Sequence, residues 1–343
     1  MSQIKKNFIF NTLLTLSSYI INLFIFPHVS RVLGVELVGK IGFVNNVISY
    51  FSLFAIMGIG TVGIREIAAC GNDRGKRSRV FSNILSIALL MTTVVTVVYI
   101  ATICIIPRFR VDKSLFFVGI SNLFFASLLI EWFYQGVENF KYITIRSVII
   151  KIIYALVVIA VIKKPSDYLL YFILTASVTI INAIINLSYS RKYVDFSFRN
   201  ISLKKYLRPI FSLGVYKVMV SMYTTFNVIY LGFVCSDVEV GYYYTSTKLF
   251  YILLNLFTAF TSVMMPRMSS LLAENKIEEF KQKTSNSFDF VFAISFPIII
   301  FCIVYAPHII MLLSGSGFEG AVAPMRIIMP VLLLTGFDTI KEG

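Results

Sequence analysis

The sequence predicts an all-α integral membrane protein: a polytopic helix bundle of about ten spans, read as a two-lobed six-helix repeat whose second lobe is incomplete. Three observations carry this. Hydrophobic residues make up 57% of the 343, and mean hydropathy is +0.82, more apolar surface than the polar sequence could cover in a soluble domain. The apolar residues fall into ten long blocks, and a helix needs about 20 residues to cross a hydrocarbon core of about 30 Å. Only short, mostly basic connections separate the blocks.

The first block, Phe8–Val29, follows Lys5 and Lys6. It ends at Pro27-His28 rather than at a small-residue cleavage site, so it reads as an uncleaved span and not a secretory signal. The blocks Ile41–Ile64, Val80–Pro107, Ser114–Gln135, Ile143–Ile162 and Tyr168–Ser190 complete a first set of six. After the basic stretch Arg191–Arg208 come Ile210–Cys235, Tyr242–Pro266, Phe290–Leu313 and Ala321–Phe337. In lipid each backbone N–H and C=O must be satisfied within its own segment, so uninterrupted blocks are helices; the alternating polarity of barrel strands is absent.

The net charge of +14 follows topology rather than a nucleic-acid surface. Counted on alternate sides of the blocks, twenty lysines and arginines lie on the side of the N-terminus and seven on the other. The positive-inside rule then places the N-terminus in the cytoplasm. Cys70, Cys104, Cys235 and Cys302 form no CxxC pair or Cys/His cluster, so neither a disulfide framework nor a metal site is expected. Paired carboxylates, a Ser-His-Asp set and a Gly-rich phosphate loop are also missing, which argues against an enzyme and assigns no catalytic residue.

Ionisable groups inside spans are costly and mark function. Glu131, Lys151, Lys217, Lys248 and Arg326 lie well inside blocks. Arg31, Arg65 and Arg146 sit near block ends, where a long side chain can snorkel, and Lys151 lies near enough to an end to do the same. The cationic excess suits an anionic ligand. Polar residues recur at helical spacing as Tyr244, Lys248, Tyr251 and Asn255; as Lys217, Ser221 and Thr224; as Asn7, Asn11, Ser18 and Asn22; as Thr175, Thr179, Asn182 and Asn186; and as Ser127, Glu131 and Gln135. Such stripes either face a common water-filled cavity or join helices across their interfaces. Glu131 is read as a counter-ion or as a site for a coupling ion.

A weak internal repeat is visible at an offset of 202, where Val38 onward lies beside Val240 onward and pairs Gly39 with Gly241 and Arg65 with Arg267. It predicts lobes over residues 1–200 and 201–343, the second supplying four spans before Gly343, as in a truncated chain.

Two stretches carry a family resemblance. FPHVSRVLGVELVGKIGF with MGIGTVGIREIA, within Phe26–Ala69, and EWFYQGVENFKYITIRSVIIK, Glu131–Lys151, resemble the polysaccharide (O-antigen and teichoic-acid type) flippases of the multidrug/oligosaccharidyl-lipid/polysaccharide exporter superfamily. The resemblance implies a flippase for undecaprenyl-pyrophosphate-linked oligosaccharide in surface polysaccharide biosynthesis. It implies no cofactor beyond coupling to an H⁺ or Na⁺ gradient, and as partners the lipid-linked oligosaccharide, membrane lipid and glycan polymerases, with no nucleic acid. It implies a cationic cavity that holds the pyrophosphate, with Lys217, Lys248, Arg31 and Arg65 as matching candidates; the deep Arg326 joins them for the anionic head group, and the polar stripes offer Asn11, Asn22, Tyr244, Tyr251 and Asn255 as cavity lining. A multidrug cation antiporter of the same superfamily is the alternative, but it would need more deep acids than Glu131. A membrane polymerase or ligase would need a large outer loop.

Overall fold

The computed structural model describes residues 3–196 and 202–342, and among them every regular element is helical. The order is α1 Gln3–Ile56, α2 Ile59–Ala68, α3 Arg74–Ile105, α4 Pro107–Val111, α5 Lys113–Ala126, α6 Glu131–Gly136, α7 Phe140–Val161 and α8 Tyr168–Ser190. Then follow α9 Lys204–Thr224, α10 Phe226–Val234, α11 Asp237–Ala273, α12 Ile277–Val304, α13 Ala306–Ser314, α14 Val322–Ile328 and α15 Val331–Glu342. Among the described residues six helices are each long and apolar enough to cross a membrane, or up to eight if two bent pairs, α9 with α10 and α14 with α15, each make one span. The chain is therefore a multi-pass membrane protein.

The ten expected blocks map onto these helices, but several boundaries fall elsewhere. The first block and most of the second share α1, whose 54 residues would extend about 80 Å at 1.5 Å per residue, and the second block crosses the break after Ile56 into α2. Gly34 (φ 79°, ψ 169°) breaks α1, in a region open to glycine. The third block ends where Pro107 forces the preceding residue out of helical geometry and then opens α4 as its first residue. Asp73 caps the start of α3 by accepting the Lys76 N–H at 2.9 Å, and Asn139 does the same for Tyr142 at the start of α7. The eighth block lies in α11, part of whose side chains fall outside the described residues, as do those of Thr224 and Arg267.

By contact the chain sorts into two compact units: Met1–Ile25 with Lys40–Ser236, and Phe26–Gly39 with Asp237–Gly343. In the first, Phe81 packs edge-on to Phe133 with centroids 5.0 Å apart and lies 5.8 Å from Trp132. Helices α2 and α6 approach closely because of two glycines: a Cβ on Gly63 would enter the Trp132 ring, and one on Gly136 would lie 2.8 Å from Ile67. The two stretches that carry the family resemblance thus meet at this crossing. Phe233 on α10 joins a second ring cluster with Phe43 and Phe109, which explains why residues 204–236 group with the first unit.

In the second unit Gly39 faces the Asp237 carbonyl and Gly241 faces the Val35 carbonyl. Val35 and Asp237 are themselves 202 apart, as are Gly39 and Gly241, so this contact is reciprocal in the register of the repeat. A long helix followed by a short one with proline at its first or second position also recurs, as α3 with α4 (Pro107) and α12 with α13 (Pro307). This grouping by contact differs from the division by repeat register, for which we propose lobes over residues 1–200 and 201–343.

Candidate functional site

A polar cavity of about 370 Å³ lies in the first unit, walled by α1, α7, α8 and the break before α6. The fourth block does not run straight through. A short 3₁₀ turn, Ser127–Leu129, leads into Ile130 at φ 42°, a left-handed conformation that is strained for a β-branched residue. The break turns Glu131 into the cavity as the first residue of α6. Ser18, Ser147, Lys151, Thr179 and Asn182 line the same space.

Arg146 holds Glu131. Its guanidinium donates to Glu131 Oε1 at 2.9 Å, to Ser147 Oγ at 2.8 Å and to Asn186 Oδ1, and it lies 5.6 Å from the Tyr142 ring centre. Asn186 in turn donates to the Leu129 carbonyl, beside the break, and its own carbonyl accepts from Tyr134 Oη at 2.5 Å. The side chain of Arg146 is 6% exposed and that of Glu131 is 38% exposed. This corrects the expectation that Arg146 snorkels: it is buried, and it ties α6, α7 and α8 together. Lys151 does not snorkel either. It is near the middle of α7, roughly 16 Å from either end at 1.5 Å per residue, and its Nζ donates to Ser18 Oγ at 2.5 Å. Sequence reasoning missed Arg146 because it is early in its block, where the snorkelling argument applies. The usable signal was that a lone intramembrane acid needs a partner.

The other sequence-assigned residues lie elsewhere. Lys217 is exposed on α9 and borders a second space of about 300 Å³ with Ser49, Leu53 and Ser221, within the first unit. Arg65 is exposed on α2 and pairs with Glu66 at 3.2 Å. In the second unit the Lys248 ammonium lies 5.2 Å from the Tyr244 ring centre, and Asn255 donates to the Tyr251 carbonyl at 2.5 Å. Arg31 donates to the Leu312 carbonyl at the end of α13, and Arg326 to the Ile303 carbonyl at 3.0 Å, at the end of α12. Arg108 and Arg110 treat the last turns of α10 and α3 in the same way. Part of the cationic excess therefore caps helix ends, whose last carbonyls have no partner within the helix. Asn11 and Asn22 are both exposed, and Asn22 donates to Ser18 O at 2.9 Å.

Long apolar helices, one broken to present an ion pair to a polar cavity, make a multi-pass membrane protein with a candidate site in its first unit. Solved structures share the fold. An inward-facing multidrug resistance MATE family transporter of the MOP superfamily superposes with a TM-score of 0.64 at 17% identity, over 94% of this chain and 79% of that one. A MOP superfamily transporter from Pyrococcus furiosus, described as having a binding pocket of reverse polarity, gives 0.54 at 16%, over 99% and 83%. The family described as "Polysaccharide biosynthesis protein" matches residues 4–272, and the chain belongs to that family. It is similar to the "Putative O-antigen transporter" of Escherichia coli (strain K12), 21% identical over 98% of this chain and 82% of the relative. It is also similar to that of Shigella dysenteriae, 25% identical over 78% and 68%. The chain is a transporter rather than an enzyme.

Proposed function

We propose that the protein is a flippase carrying undecaprenyl-pyrophosphate-linked oligosaccharide across the bacterial cytoplasmic membrane, with its N-terminus in the cytoplasm. The family match over residues 4–272 carries this reading. The similarity to O-antigen transporters and the cationic balance of the intramembrane residues support it. A pyrophosphate is drawn to fixed cations where water is scarce. Lys217 and Lys248 are the first candidates, because Arg31 and Arg326 each spend a guanidinium N–H on a helix end. Glu131 is the candidate for H⁺ or Na⁺ coupling: neutralising it would release Arg146 from α6.

Cells deleted for their own flippase, expressing this chain, should regain surface glycan. Lys217→Ala and Lys248→Ala should each lose it at unchanged protein level; normal glycan from both removes the head-group assignment. The fold likeness to multidrug transporters favours a cation antiporter only weakly, since Glu131 is already paired with a guanidinium. Resistance to cationic dyes without any glycan would favour that second reading.

A further inference from the structure

We propose that the cavity of the first unit is a glycan subsite, which takes a neutral sugar residue of the substrate and not its phosphates; this rests on the flippase reading above. The cavity presents one carboxylate, Glu131, and one ammonium, Lys151, while the Arg146 guanidinium is turned onto Glu131, Ser147 and Asn186. A phosphate placed there meets Glu131, and an organic cation meets Lys151 beside the buried Arg146. A hydroxyl-rich neutral ligand uses both charges, one as acceptor and the other as donor.

Asn182 supplies an independent observation. It is 7% exposed and lines the cavity, and its Nδ2 donates to the Val178 carbonyl at 2.7 Å. That bond fixes the amide orientation and leaves Oδ1 as a buried acceptor with no hydrogen-bond partner among the described residues. Native proteins rarely leave such an atom unpaired; Oδ1 is shielded as the helices stand, and a sugar hydroxyl reaches it with a small rotation of the Asn182 side chain toward the cavity it lines. Thr179 lies one turn away on the same face of α8, and Thr15, Ser18 and Tyr19 offer further hydroxyls from α1. A volume of about 370 Å³ is within the range of small-ligand sites.

The test uses the purified full chain in detergent, with methyl glycosides of glucose, galactose, rhamnose and N-acetylglucosamine as probes and inorganic pyrophosphate as comparator. Binding is read by saturation-transfer NMR and by emission of Trp132, the neighbour of Glu131. At least one glycoside should bind, and Asn182→Ala and the near-isosteric Thr179→Val should each weaken it about tenfold, the loss of about one hydrogen bond. Pyrophosphate should not compete. Wild-type affinity in both folded variants, displacement by pyrophosphate, or no binding by any glycoside overturns the subsite. Proteoliposome translocation of a polyprenyl-pyrophosphate oligosaccharide separates the two claims. Failure of the wild type sinks the flippase reading. A wild type that translocates, with both variants equally fast, sinks the subsite alone.

Discussion

Arg146→Met is the sharpest probe of the site, because one guanidinium holds three helices together. The substitution keeps the apolar bulk of the stem and removes the hydrogen bonds to Glu131, Ser147 and Asn186. Intramembrane hydrogen bonds are worth about 0.6 kcal/mol each on average, so three give roughly 2 kcal/mol. Stranding a fully buried charge would cost about 3–5 kcal/mol. The Glu131 side chain is 38% exposed onto the cavity, so a fraction of that, about 1 kcal/mol, applies. The expected loss is about 3 kcal/mol. Glu131→Gln leaves the Arg146 guanidinium, only 6% exposed, without its countercharge and should cost about 3 kcal/mol, and the double variant should cost less than the two single losses added, by about 3 kcal/mol. The chain has a single tryptophan, Trp132, which is 8% exposed and adjacent to Glu131, so its emission during detergent unfolding reports this site directly. An unchanged midpoint for Arg146→Met, or strictly additive losses, would refute the clamp.

Other substitutions test separate links. Gly63→Ala should drive a methyl into the Trp132 ring, cost about 1–3 kcal/mol and shift the emission; a silent variant would mean that α2 and α6 are further apart than described. Gly39→Ala and Gly241→Ala fill the same helix crossing from opposite sides, so their unfolding losses should be non-additive, and independent losses would deny the reciprocal contact. Lys151→Met should leave the fold intact, by Trp132 emission, while reducing glycan export; full export would make Lys151 a structural residue only. At the start of α3, the Lys76 N–H donated to Asp73 holds its carboxyl below the usual value of 3.8. A depressed folded value stabilises the native state above the unfolded pKa, and the contribution fades as pH falls below 3.8 through the lowered value. Asp73→Ala should therefore cost more stability at neutral pH than at pH ~2, a difference that unfolding at the two pH values checks.

Hydropathy made the helices legible, because lipid leaves a chain little choice of backbone structure. The breaks were not legible from block length. Gly34 lies between two blocks and gives a compositional hint, whereas Ile130 is a β-branched residue in a left-handed turn with no local turn signal. It is held by the Asn186 and Arg146 network, which comes from helices later in the chain. The polar stripes were visible, and Ser18, Glu131, Thr179 and Asn182 do share one cavity. Their meeting was not deducible, since helical spacing gives a face but not the neighbour it turns toward. For the arginines, charge and depth were readable but purpose was not: Arg31 and Arg326 meet helix-end carbonyls distant in sequence.

Translocation in proteoliposomes tests the central claim most directly. Purified protein is reconstituted with a labelled polyprenyl-pyrophosphate oligosaccharide, and the head group reaching the opposite leaflet is counted with a membrane-impermeant reagent. The flippase reading predicts transfer well above protein-free vesicles, and its loss in Lys217→Ala and Lys248→Ala. Transfer no faster than in protein-free vesicles, by protein whose Trp132 emission shows it folded and which instead moves cationic dyes, would contradict it.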